Sequence, residues 1–246
     1  MSVEALAGAL VIVFLAFFVR GISGFGSATI AIPLLAHFIA LKLAVPLLLI
    51  HDLLSTLATV SIDRGAIDKR EIVALLPPSI VGVIIGVTLL VTLPAQPLLA
   101  TLGALVIAFG IRTLINPQGS NPVARLWSIP AGLAGGALGG AFGSGAATPY
   151  MIYLTHRLAD KSSVRGTFSA FAIFDYAFRV ITFAVTGLLL SNELFVLVSV
   201  TLPGMMCGLY LGNKLHGRIA SEQALKVIGA LLIVSGLSLL WKAMKG

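Results

Sequence analysis

Ten apolar runs, each bounded by charge or by Gly and Pro, fill this chain at about 3–19, 24–40, 43–61, 72–92, 98–115, 127–141, 145–156, 166–187, 194–213 and 225–241. A bilayer core is ~30 Å thick and takes roughly 20 apolar residues per helical crossing. Runs so closely spaced leave little sequence for anything but membrane helices. Composition agrees: of 246 residues 58% are hydrophobic and only 10% charged, where a soluble domain carries about 25% charge. That excludes a water-soluble globular enzyme. The hydrophobicity also excludes disorder, and runs that are continuous rather than alternating exclude a β-barrel. The expected fold is an all-α polytopic membrane protein with eight to ten helical segments.

The excess of basic residues, +7 from 16 Lys and Arg against nine acids, falls in loops, so no nucleic-acid partner is expected. The lipid bilayer is the expected surrounding. The lone Cys207 lies in an apolar run and allows neither an intrachain disulfide nor a Cys-based metal site. Met1 to Phe18 holds Glu4 and no basic segment, so it reads as the first membrane helix rather than a cleaved signal.

The two halves of the chain match. Residues 76–115 laid without gaps on 202–241 give 12 identities in 40, among them Pro77/Pro203, Gly82/Gly208, Gly86/Gly212 and Gly103-Ala104-Leu105 with Gly229-Ala230-Leu231. Earlier in each half, Phe25-Gly26-Ser27 followed by Pro33 corresponds to Phe142-Gly143-Ser144 followed by Pro149. The sequence thus divides into a first transmembrane repeat at 1–115, a linker at 116–126 and a second repeat at 127–246. Arg64, Lys69 and Arg70, then Arg157, Lys161 and Arg165, then Lys214, Arg218 and Lys226 mark three basic loops, all cytoplasmic by the positive-inside rule. The 62–71 loop is then inside while its repeat partner at 188–193 is outside, which predicts two inverted-topology repeats. Thirty residues at 127–156 reach ~45 Å as helix, short of the ~60 Å of two crossings. Gly-broken or re-entrant hairpins are therefore expected at the start of each repeat.

Two glycine-rich breaks carry the first functional signal, Gly21 to Ser27 and Gly139 to Gly145. Irregular backbone at membrane depth persists only where it is buried in protein or lines a cavity. A helix starting after each break would aim free N–H groups and a positive dipole end inward. Gly24, Phe25, Gly26, Ser27 and Thr29, with Phe142, Gly143, Ser144, Gly145 and Thr148, are accordingly candidate residues for binding an anion. The competing reading is that small residues only let helices pack closely, and Gly82-xxx-Gly86 and Gly208-xxx-Gly212 are read that way.

Ionisable residues within spans are the second signal, because they are expensive there. Asp52 and Asp175 each lie nine residues into their runs, so they are repeat-related, and His51 precedes Asp52. Either carboxylate could carry a coupling proton. Asp175 and Arg179 stand at i,i+4 and can pair on one helix face, whereas no Arg occupies position 56. A pair that only locks helices together is the structural alternative. Arg20 adjoins the first break, where it could add positive charge for an anion or snorkel to the interface. Arg112 is read as an anchor at a helix end. The chain has no H-E-x-x-H, G-x-S-x-G or P-loop motif, and its four histidines are scattered. Neither catalytic residues, metal nor cofactor is expected, and the chain is read as a non-enzyme.

Taken together, the duplicated F-G-S-x element, Gly65-Ala66-Ile67-Asp68, Arg165-Gly166-Thr167 and the Pro203 to Gly212 segment resemble the sulfite exporter TauE/SafE family, also called TSUP. The likeness runs from about 5 to 241. It implies a multi-pass transporter in the bacterial inner membrane that moves sulfur-containing anions such as sulfite, sulfoacetate or other sulfonates. It also implies export more often than uptake, with coupling to an ion gradient rather than ATP. Other small organic anions, or passive anion channelling, are the alternatives. On the residues themselves, Arg20 or Arg179 would neutralise the substrate's charge, and Asp52 or Asp175 is the candidate for proton coupling. A homodimer is one assembly the sequence leaves open.

Overall fold

A computed structural model describes residues 3–23, 26–59, 67–115, 123–143, 147–215 and 221–245. Ten α-helices follow one another along them: α1 Val3–Ser23, α2 Ser27–Leu35, α3 Leu41–Thr59, α4 Lys69–Thr92, α5 Ala95–Ile115, α6 Ser128–Phe142, α7 Ala147–Arg157, α8 Lys161–Val185, α9 Asn192–Leu215 and α10 Ser221–Lys245. Six of them, α1, α3, α4, α5, α8 and α9, hold windows long and apolar enough to cross a membrane. Exposed Val73, Val185, Phe195 and Tyr210 turn their side chains outward, as lipid-facing residues do.

Local chemistry sets the ends. Asp68 caps α4 by accepting hydrogen bonds from the Arg70 and Glu71 amides, and Asp160 caps α8 through the Ser163 amide. α6 stops at Gly143, whose φ of +60° turns the chain into the left-handed region, and α2 starts after Gly26 at φ +93°. An L side chain is disfavoured at both angles. Lys42 Nζ donates to the Val91 carbonyl at 3.0 Å and Lys242 Nζ to that of Ala36 at 2.8 Å. Each thus places a cation on the electronegative end of a neighbouring helix.

α6, α7 and α2 have 15, 11 and nine residues, or roughly 23, 17 and 14 Å of helix, none enough for a crossing. They form the second arms or both arms of two hairpins, α1–α2 and α6–α7. One expectation is narrowed. Gly21 is helical within α1, and Gly139 to Phe142 are helical within α6, so each break is shorter than the glycine-rich stretch that marks it. Those glycines serve packing instead.

The three most extensive helix pairings are α4 with α6, α1 with α9 and α5 with α10. In the first, a Cβ on Gly82 or Gly86 would strike the α6 backbone at Leu133, Ala137 or Ala141. In the second, one on Gly208 or Gly212 would strike the α1 backbone at Phe14, Phe18 or Gly21. Bare backbones at contact give the dispersion and close approach that substitute in lipid for a hydrophobic driving force. α3 and α8 meet each other between these pairs; α3 packs on α9 and α8 on α4.

Candidate functional site

The residues with chemistry converge where α3 meets α8. In the first half, Asp52 on α3 is buried and forms an ion pair with Arg20 of α1 at 2.6 Å. Ser27, the first residue of α2, donates to the same carboxylate oxygen at 2.6 Å and accepts from Arg20 Nη1 at 3.1 Å. Arg20 Nη2 donates to Thr56 Oγ1 at 2.6 Å. Arg20 therefore does not snorkel; at 8% exposure it is enclosed, with partners on α2 and α3. The partner missing at position 56 comes from another helix. His51 donates from Nδ1 to the Leu47 carbonyl at 2.8 Å, and its Nε2 lies 3.1 Å from Thr201 Oγ1 of α9.

In the second half, Asp175 and Arg179 pair on α8 at 2.5 Å, as their spacing requires. Asp175 Oδ1 accepts from Ser79 of α4 at 2.6 Å and from Tyr150 of α7 at 3.2 Å. Ser79 and Tyr150 share a further hydrogen bond of 2.9 Å, and the Tyr150 ring meets Phe171 edge-on at 4.6 Å. The Arg179 guanidinium lies against the backbone of Gly139 on α6 and 5.7 Å from the Tyr176 ring centre. Its side chain is 3% exposed. Even so, Nε and Nη2 have no hydrogen-bond partner among the described residues, the contact of Nη2 with Asp175 being out of line for an N–H···O bond.

Tyr176 stands between the two pairs, within electrostatic reach of Arg20, Asp52, Asp175 and Arg179. Thr29 and Thr148 sit half-buried in the first turns of α2 and α7. A Cβ on Gly143 would touch Val45 at 3.4 Å and Ile32 at 3.8 Å, so the tip of the α6–α7 hairpin rests on α2 and α3. Beside Gly26 such an atom would meet none of the described residues within 4 Å. Gly24, Phe25, Ser144 and Gly145 lie outside the described residues.

A buried guanidinium so placed can bind an anion. Two adjacent guanidinium N–H donors match two oxygens of a carboxylate, sulfonate or sulfite, and a donor buried without a partner is costly until one arrives. The sequence profile of the family described as sulfite exporter TauE/SafE matches residues 9–239. The chain belongs to the TauE/SafE family. It is accordingly a multi-pass membrane protein of an exporter-type transporter family. Comparisons with curated proteins and with solved structures find no match.

Several partners in this TauE/SafE site carry no motif. Ser79, Tyr150, Thr56 and Tyr176 are ordinary in isolation, and only a hydroxyl inside an otherwise apolar run hints at Ser79. The same holds for a third buried carboxylate. Glu71 of α4, 1% exposed, takes Arg157 at 2.9 Å and Arg125 at 3.1 Å on Oε1, while Tyr153 donates to Oε2. Arg157 closes α7 and Arg125 precedes α6, so Glu71 ties both ends of that hairpin to α4. The Glu71 hydrogen bond holds the Arg157 pKa above its ordinary value.

Proposed function

We propose that this TauE/SafE family member is a secondary transporter that exports small sulfur-containing oxyanions, such as sulfite, sulfoacetate or other sulfonates, across the bacterial inner membrane. The observation that carries the reading is Arg179: a buried guanidinium beside a helix break, ion-paired with Asp175 through Nη2, whose Nε finds no hydrogen-bond partner among the described residues. The substrate's oxygens would bridge Nε and Nη2, with Gly26 and Ser27 at the start of α2 and Gly143 at the end of α6 contributing, and with Gly24, Ser144 and Gly145, outside the described residues, as further candidates. Arg20 contributes field rather than contact, since Asp52, Ser27 and Thr56 occupy its guanidinium. Asp175, sharing Arg179 with the substrate, is the better placed proton carrier, and Asp52 the second.

Transport would proceed by alternating access between two inverted repeats, 1–115 and 127–246, around this site. Supporting this is the way each half lends its first helix to the other: α1 packs on α9, α6 on α4. The α1–α9 and α4–α6 contacts use repeat-related glycines, Gly208 and Gly212 on one side and Gly82 and Gly86 on the other.

Flux of sulfite, sulfoacetate, thiosulfate and carboxylate analogues in proteoliposomes tests the reading. Arg179→Gln should abolish accumulation of the preferred anion while leaving the protein monodisperse. Full accumulation by that variant would remove Arg179 from the site. Flux that only dissipates a gradient would mean a passive anion channel.

A further inference from the structure

The two ion pairs are one device built with its helices exchanged. A Cβ at Gly21 would meet the backbones of Leu209, Gly212 and Asn213, and one at Gly140 would meet those of Val83, Gly86 and Val87. The sequence repeat pairs those same three positions with one another. With Gly21 thus set on Gly140, two positions away from the register that aligns Phe25 with Phe142, Arg20 falls on Gly139. With Asp52 set on Asp175, Thr56 falls on Arg179. The guanidinium comes from the hairpin helix α1 in one half and from α8 in the other, and in each half the alternative position holds a small residue. The contacts agree with the exchange: Thr56 Oγ1 accepts from Arg20 at 2.6 Å, and Gly139 leaves the room that Arg179 fills.

The exchange makes the halves mechanically unequal. Asp52 and Arg20 lie on different helices, so their ion pair binds α3 to α1, and Ser27 adds α2. Asp175 and Arg179 lie on one helix, so among the described residues no ion pair joins α8 to α4 or α7: Ser79 and Tyr150 donate to Asp175, the Asp68 amide at the head of α4 donates to Thr167 at 2.9 Å, and α8 meets α6 by packing at Gly139. Parting a buried ion pair strands two charges in a low-dielectric interior, whereas parting hydroxyl bonds strands none. We infer that Arg20 and Gly139 are positioning residues that decide which interface opens: α8 parts from α4, α6 and α7, while α3 stays bound to α1 and α2. The purpose of that motion rests on the transport reading, but the motion itself is measurable without substrate.

Pulsed EPR in lipid nanodiscs tests it on a Cys207→Ser background. Spin labels at exposed Ile84 on α4 and Val185 on α8 report one interface, and labels at exposed Val11 on α1 and Leu57 on α3 report the other. The expected result is two distance populations for Ile84–Val185 and one for Val11–Leu57. Exchanging the arginine should exchange the behaviour: G139R/R179T collapses the first pair to a single population, and R20G/T56R splits the second. Melting temperatures give an independent readout, in which each double variant regains at least half of what R179T or R20G loses. The inference fails if the doubles regain nothing, or if the distributions ignore the exchange. If only one double folds, its own label pair decides. The expected EPR pattern without anion flux would overturn the transport reading alone.

Discussion

The guanidinium of Arg179 rests on the backbone of Gly139, in the volume that a side chain at 139 would occupy. Gly139→Ala should therefore act on the arginine rather than on the helix that carries it. Alanine is the better helix former, yet overpacking here should destabilise by about 1–3 kcal/mol and weaken anion binding together. Thermal unfolding with and without sulfite measures both. A variant that gains stability and keeps its anion-induced shift would show that the contact constrains nothing.

Asp175 and Arg179 should behave as a unit in a double-mutant cycle. Removing one member of a buried pair strands the other and costs about 3–5 kcal/mol. Asp175→Asn with Arg179→Gln should cost well under the sum of the singles, because Ser79 and Tyr150 can still bond the amide at 175. The double variant should nonetheless bind no oxyanion. Chemical denaturation of all four proteins in mixed micelles gives the cycle.

At the base of the α6–α7 hairpin, the two arginines on Glu71 should prove unequal. The side chain of Arg125 is 50% exposed and that of Arg157 26%, so water screens the first pair more. Arg125→Ala should cost less than ~1 kcal/mol. Glu71→Ala should be the most damaging of the three, since it leaves two cations and the Tyr153 hydroxyl without their shared acceptor. Equal losses for all three, in melting experiments, would contradict this ranking.

His37, in the turn after α2, has its pKa lowered from the ordinary 6.5 by burial and by the nearby Lys242 ammonium. A base whose folded pKa is depressed contributes stability that is complete above the unfolded value and is lost as pH falls through the folded one. Hydrogen exchange over residues 36–40 should therefore accelerate as pH drops below about 6.5, after correction for intrinsic rates. His37→Gln should flatten that dependence.

Helices were legible because continuous apolar runs have one stable form in lipid, and the breaks because glycines and prolines interrupt them in matching places. The Asp175–Arg179 pair was legible for the same local reason, a spacing of four on one helix. Arg20 with Asp52 was not, since a contact between helices has no signature in either helix alone. Glu71 carries no signal either, since at the edge of a basic loop a single acid reads as ordinary surface. The exact extent of the breaks was hidden too, because glycine serves a turn and a close backbone contact equally well.

The cross-half pairings also set an order of assembly. When α6 is made, its partner α4 already stands in the bilayer, and the Gly82, Gly86 face can receive it at once. α1 must wait for α9, with most of the chain still to be synthesised, before its backbone finds Gly208 and Gly212. Closing so long a loop is slow even though its entropic cost grows only gently with length. In that interval the Arg20–Asp52 pair can already close, within the first three helices, and hide two charges from the lipid. The ion pair that pins the first hairpin in the finished protein thus also serves as the early staple that lets an unfinished one remain in the membrane.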